Sequence, residues 1–134
     1  MDCTIVDVFA ERPLTGNQLA VIRGCAHLDS AAMQAIAREM NFSETTFVTE
    51  ERSGEARARI FTKDRELPFA GHPTLGTAWV LGRDRDCYTL ELAAGRVPVT
   101  FEDGIAWMEP PPVNMGGLLA VSYTHLTLPT KRIV

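Results

Sequence analysis

Cysteine is scarce in this chain and never paired. Cys3, Cys25 and Cys87 are the only three among 134 residues, widely spaced and outside any Cys-x-x-Cys motif. An odd number at such spacing suggests neither a disulfide framework nor a zinc site, so buried thiols in a reducing compartment are expected. Positive charge is also short, with 13 Lys and Arg against 17 Asp and Glu and a formal net charge of −4. No basic stripe is present, so neither nucleic acid nor an anionic membrane is an expected partner. No apolar run reaches the ~20 residues that a membrane-spanning helix requires. Met1-Asp2-Cys3-Thr4 lacks the basic segment and apolar core of a signal peptide, which makes the cytoplasm the expected location. Acidic residues end at Glu109, just before Pro110-Pro111-Pro112. The stretch 113–134 has no clear period and is taken as an irregular tail of truncation or sequence artefact, with no chemistry read into His125.

What is present suits one soluble globular domain, 46% hydrophobic and 22% charged. The organising stretch is Glu66 to Gly82, which passes a Gly71-His72-Pro73-Thr74 corner and carries no formal charge from Leu67 onward apart from what His72 holds. Proline fits the first helical turn, where its missing N–H costs no bond, so a helix is expected from His72–Pro73 to a stop at Gly82. Leu75, Ala78, Trp79, Val80 and Leu81 cover most of its circumference, and a helix apolar all round must be wrapped by the rest of the chain. Its first turn has two readings. Unpaired N–H groups and the helix dipole make the corner a site for a small carboxylate, with Gly71 allowing close approach and His72 able to exchange a proton. Alternatively, His72 caps the helix and Gly71 turns the chain.

Around this helix the pattern is mostly of strands. Thr4–Phe9 is β-branched and reads as a first strand, with Asp7 among apolar neighbours. A loop ending in Gly16-Asn17 leads to a second strand over Gln18–Ile22. Asn17 either takes up a turn conformation or offers its amide to a ligand. Asp29 or Ser30 caps a helix whose Met33, Ile36, Ala37 and Met40 recur at one buried face. Strands follow from Thr45 and over Ala56–Thr62, whose arginines are expected to face solvent or a partner strand. Glu44 stands at the mouth of the former, either as a solvated turn carboxylate or as a functional acid. Tyr88–Leu92, Val97–Phe101 and Ile105–Met108 alternate like strands, and Asp103-Gly104 is a hairpin signal. The result is an α+β fold of about seven strands, a curved and mostly antiparallel sheet wrapped around a central apolar helix, with a second helix outside.

Three motifs carry a resemblance. They are Val6-Asp7-Val8-Phe9 with Gly16-Asn17 and Ala20-Val21; Met40-Asn41-Phe42-Ser43-Glu44-Thr45-Thr46-Phe47-Val48; and Leu67 through Gly76. Together they resemble the PhzF-like isomerases of phenazine biosynthesis, within the diaminopimelate-epimerase-like fold, over roughly residues 4–112. The resemblance implies two similar lobes with an active site between them, residues 1–112 being the N-terminal one. It implies proton transfer at carbon in a small carboxyl- or amino-bearing substrate, without metal, flavin or nicotinamide. Glu44 matches the general acid/base, His72 a group that orients substrate or relays a proton, and Asn17 a substrate-positioning residue. Backbone N–H groups at Gly71 and Thr74 would receive the substrate carboxylate. A base that attacks carbon must be held close and partly desolvated, and Phe42 and Phe47 are expected to supply that surround.

Two departures qualify what the resemblance implies. Epimerases of this fold use a thiol from each lobe, the first near Ala70-Gly71, where this chain has none. The family's chains are also markedly longer, so this polypeptide is expected to be an inactive half. The alternative is a non-catalytic half-fold protein that binds a small carboxylate or pairs with itself, a homodimer imitating the two-lobe parent.

Overall fold

A computed structural model describes residues 1–112, and the tail expected over 113–134, His125 included, lies outside them. In chain order the elements are β1 (Asp2–Val8), β2 (Asn17–Arg23), α1 (Ser30–Met40), β3 (Glu44–Arg52), β4 (Glu55–Phe61), β5 (Glu66–Leu67), α2 (Gly71–Gly82), β6 (Cys87–Leu92), β7 (Gly95–Glu102) and β8 (Ile105–Met108). The strands join in one sheet of order β1-β2-β3-β4-β6-β7-β8, with the two-residue β5 added beside β4. Sequence reasoning missed β5, which is too short to show an alternation.

The sheet is mixed. Five strand pairings are antiparallel, but β2 runs parallel to β3 and β4 parallel to β6. Both parallel pairings follow from a helix placed between the paired strands in the chain, since a parallel neighbour needs a crossover long enough to return to the same end. An expectation built on hairpin signals counts only local pairings, and so overstates the antiparallel character.

Strand alternation divides the core between the two faces. Val8, Leu19, Val21, Val48, Ala58 and Ile60 pack in the cluster that includes Leu75 and Ala78 of α2. Their chain neighbours Ile22, Phe47 and Phe61 pack with Met33 and Ala37 of α1 in a second cluster. Asp29 caps α1 by accepting from Ala32 N–H at 2.8 Å, and Asn41 ends the helix in a left-handed conformation, φ 55°. On the α1 face Arg59 donates to Ser30 Oγ at 2.8 Å and pairs with Glu66, while Arg57 bridges Glu50 and Glu91 across strands. Asp103 and Gly104 both take positive φ, 51° and 73°, as a tight hairpin between β7 and β8 requires.

Helix α2 starts at Gly71, so Pro73 sits third, still within the turn whose N–H groups lack intrahelical partners. Its Pro73–Ala78 segment is buried, but Trp79, Val80 and Leu81 are only half-buried. The expected wrapping all round is therefore met by the first two turns and not by the last. There the short β8 ends the sheet, and Trp79 meets Phe101 edge-on at 6.1 Å between ring centroids. Among the described residues no helix is long and apolar enough to cross a membrane.

The expectation of buried thiols holds only for Cys25, because Cys3 and Cys87 lie exposed on strands. Cys25 Sγ donates to Val48 O at 3.1 Å, and burial raises its pKa, which depletes the reactive thiolate. At about pH 8 a thiol-specific chromogenic reagent should modify Cys3 and Cys87 in the native chain and Cys25 only after denaturation. Three thiols reacting together would show that the β2–α1 core opens readily.

Candidate active site

Two strand starts and one helix start converge at one end of the sheet. Because β2 and β3 are parallel, with Leu19 opposite Glu44, both strands begin at the same end. Asn17 shares its face with Leu19 and Val21, and Glu44 shares its face with Val48, all of which belong to the α2 side. Asn17 and Glu44 therefore both turn toward α2.

Gly76 brings the helix close enough to meet them. A Cβ at Gly76 would lie 2.6 Å from Leu19 Cδ2 and 2.7 Å from Val8 Cγ2, contacts that only hydrogen can occupy. His72 lies one turn earlier on the same helix face, so the contact that seats Gly76 on β1 and β2 aims His72 at the start of β2. Its Nδ1 lies 2.8 Å from Glu44 Oε2 and 3.3 Å from Asn17 Nδ2, and its Nε2 lies 3.1 Å from the Asn17 carbonyl oxygen. Ser43 Oγ, one residue before β3, donates to Asn17 Oδ1 at 3.2 Å. The side chains of His72 and Glu44 are 10% and 19% exposed, shielded yet reachable from outside.

Each expected site residue can now be placed. Glu44, His72 and Asn17 come together. Gly71 and His72 precede the first intrahelical bond, Thr74 N–H to Ala70 O at 3.2 Å, so their N–H groups have no partner within the helix. Thr74 differs from expectation. It is fully buried, and besides the N–H bond its Oγ1 donates to Ala70 O at 2.7 Å, which uses both of its donors inside the helix. The readings of His72 and Asn17 as local fittings also change. The cap of α2 is Ala70, which offers no side-chain bond, and His72 instead reaches across to two strands. The amide of Asn17 contacts Ser43 Oγ and His72 Nδ1, and the residue remains exposed.

The expected aromatic surround is also rearranged. Phe47 stands an odd number of residues from Glu44, so it points to the α1 side and packs edge-on against Phe61 at 5.4 Å. The aromatic neighbour of His72 is Phe9, at 6.2 Å between centroids. Phe9 adopts φ 61° and Leu14 φ 65°, conformations that non-glycine residues rarely take and that recur near functional sites. The intervening loop is pinned by Asp7, whose carboxylate accepts from Leu14 N–H at 2.6 Å. It is closed at Gly16, where a Cβ would stand 2.5 Å from Val8 O. An open hollow of about 190 Å³ lined by Phe9, Glu11, Arg12 and Thr15 adjoins this side. Met108 at the end of β8 reaches Gly71, its Cε 3.0 Å from where a Cβ would be. Sequence reasoning did not single out Ser43, Phe9 or Met108; only Ser43 had a signal, its place beside Glu44.

Glu44 and His72 together form a carboxyl–imidazole pair at the mouth of a helix whose first N–H groups are free. Residues 6–109 match the family described as phenazine biosynthesis-like protein. The chain belongs to the PhzF-like isomerase family. Over 101 residues it is 52% identical to the trans-2,3-dihydro-3-hydroxyanthranilate isomerase of Pseudomonas aeruginosa, covering 73% of this chain and 36% of that protein. An uncharacterized isomerase of Mesorhizobium japonicum is 46% identical over 114 residues, 78% of this chain and 38% of the relative. A PhzF-family phenazine biosynthesis protein of Enterococcus faecalis matches in structure with TM-score 0.70 and 36% identity, over 78% of this chain and 41% of the other. A probable proline racemase of Agrobacterium radiobacter, at TM-score 0.51 and 17% identity, shares the epimerase-like fold alone. The PhzF-like chain described here thus spans little more than a third of its curated relatives, 36% of the Pseudomonas aeruginosa enzyme.

Proposed function

We propose that residues 1–112 are the N-terminal lobe of a cofactor-independent isomerase that moves a proton between carbons of a small carboxyl- or amino-bearing substrate. The observation that carries this reading is the 2.8 Å contact between Glu44 and His72 beside the free N–H groups that open α2. In it, the substrate carboxylate is held by the N–H groups of Gly71 and His72, where the helix dipole favours negative charge. Glu44 exchanges a proton with substrate carbon through the oxygen that His72 leaves free. The C–H bond broken at one carbon is balanced by the C–H bond made at another, and the double bond moves between them without net oxidation. His72 Nδ1, 2.8 Å from the other carboxyl oxygen, holds the carboxyl group in place. The named substrate of the Pseudomonas aeruginosa relative, trans-2,3-dihydro-3-hydroxyanthranilate, is the compound class to test. A two-thiol mechanism is not favoured, since Cys3, Cys25 and Cys87 all lie away from the start of α2 in the chain and in the fold's elements.

One wall of a cleft holds and desolvates a substrate poorly, so activity requires the length that the relatives have beyond the matched part. A chimera of residues 1–112 with the remainder of the Pseudomonas aeruginosa relative, incubated with its substrate in D₂O, should place deuterium on a ring carbon. A folded chimera that turns over nothing would reject the isomerase reading.

The second reading, a self-paired half-fold, is favoured by exposed apolar side chains on the two edge strands. Ile5 of β1 is 56% exposed and Trp107 of β8 is 53% exposed. Light scattering of the chain alone separates a dimer from a monomer.

A further inference from the structure

We propose that Leu14 is a docking peg for the remaining lobe, the length of polypeptide that the relatives have beyond the part matched here. This rests on reading residues 1–112 as one lobe, but it is tested by contact and not by turnover. Leu14 is 90% exposed, more than any other large apolar side chain among the described residues. Its backbone takes φ 65°, a conformation that glycine adopts freely and leucine does not. A side chain that packs against nothing, on a backbone that does not suit it, adds nothing to the fold of its own lobe. What leucine supplies there, and glycine would not, is an apolar group held out in water.

The loop that carries Leu14 holds it in place. The Asp7 carboxylate accepts from Leu14 N–H at 2.6 Å, Thr15 Oγ1 donates to Arg12 O at 2.7 Å, and Gly16 closes the loop against Val8 O. Phe9 opens the loop in the same uncommon region, at φ 61°. Backbone strain of this kind persists where the surrounding contacts over-determine it, and it concentrates at functional positions. A side chain already fixed in place loses little freedom on binding, which suits it to anchor a partner.

The position of the loop says what the anchor meets. It joins Val8 to Asn17, which are paired residues at one end of β1 and β2, and Asn17 in turn touches His72. Phe9, its first residue, lies 6.2 Å from the His72 ring. Leu14 therefore stands at the rim of the site. Strand β8 returns the chain to the same end, since Met108 Cε lies 3.0 Å from where a Gly71 Cβ would be. The polypeptide that follows β8 thus starts at the rim that Leu14 shares. Because this chain covers 36% of the Pseudomonas aeruginosa enzyme, the relatives have ample length left to reach across. A proton-transfer site has to be closed to water, and a cover resting on Leu14 closes it from the side of β1 and β2. The surface that fits is an apolar pocket with a polar rim, facing the exposed Arg12 and Thr15 on either side of the leucine.

Two experiments test the proposal. In the 134-residue chain itself, Leu14→Asn removes the apolar side chain and places there a residue that tolerates positive φ. The urea midpoint, followed by tryptophan fluorescence, should stay the same or rise. A lowered midpoint would show that the leucine serves its own lobe and would overturn the proposal. In the chimera with the remainder of the Pseudomonas aeruginosa relative, a benzophenone amino acid in place of Leu14 is irradiated and its products are mapped by mass spectrometry. The expected links run within one chain, to the part taken from the relative, with a yield that does not change on dilution. Links between two copies would assign the loop to a dimer interface, and a folded chimera without any protein link would leave Leu14 to solvent or substrate. Either result overturns the proposal. Leu14→Asn in the chimera should lower the midpoint that it leaves intact in the chain alone, which keeps the test decisive if the bulky photoprobe disturbs the fold. A chimera that links within the chain but turns over nothing rejects the isomerase reading and leaves the docking role standing, and an active chimera with no link does the reverse.

Discussion

Glu44→Gln in the chimera should lower the rate of deuterium incorporation by roughly 10²–10⁴, the range in which positioned general acid–base groups contribute. Glutamine keeps the length and polarity of the side chain and can still hydrogen-bond to His72, but it cannot take a proton from carbon. The fold should survive, because Glu44 lies at the first residue of β3 and its side chain is not part of either apolar cluster. The measurement is an NMR time course of exchange at saturating substrate, with circular dichroism confirming the fold. Retention of full exchange by a folded variant would move the acid/base role elsewhere, His72 being the first candidate to examine.

Phe47→Ala should have the largest effect on stability and almost none on the site. Phe47 is fully buried between the sheet and α1, edge-on to Phe61 at 5.4 Å. Truncating a buried phenylalanine costs about 3–5 kcal/mol, through lost burial and the cavity left behind. Domains of this size are stable by about 5–15 kcal/mol, so the change is large enough to unfold a marginal one. Urea unfolding followed by the fluorescence of Trp79 and Trp107 measures it. The same substitution discriminates between two views of the residue. A wall of the active site would alter kcat per folded molecule, whereas a residue on the opposite face of β3 would not. Alternation along β3 requires the second outcome, since Glu44 and Phe47 point to opposite sides of one sheet.

The legible parts of this protein were those encoded by neighbours in the chain. The N-cap of α1 at Asp29 or Ser30, its Met33–Ala37 face, the Asp103-Gly104 hairpin and the alternation of β6 and β7 all depend on contacts within a few residues. Motifs carried the candidates Glu44, His72, Asn17 and Gly71 further than periodicity could, because a carboxylate at a strand mouth has no local pattern of its own. Thr74 was misjudged for a simple reason. Its type suits a ligand contact, but as the first residue able to bond back into α2 it spends its hydroxyl and its N–H on Ala70.

The sequence by itself therefore determined the kinds of element, the family, and which side chains had chemistry to offer. The tertiary structure alone decided which of them meet. Asn17 and Glu44 are neighbours only because β2 and β3 run parallel across a helical crossover, and His72 reaches them only because Gly76 lets α2 settle against Leu19 and Val8. The contacts of His72 with Glu44 and Asn17 join residues 28 and 55 positions apart. Periods of two and 3.6 tell which face of an element is apolar, but not which other element will cover it.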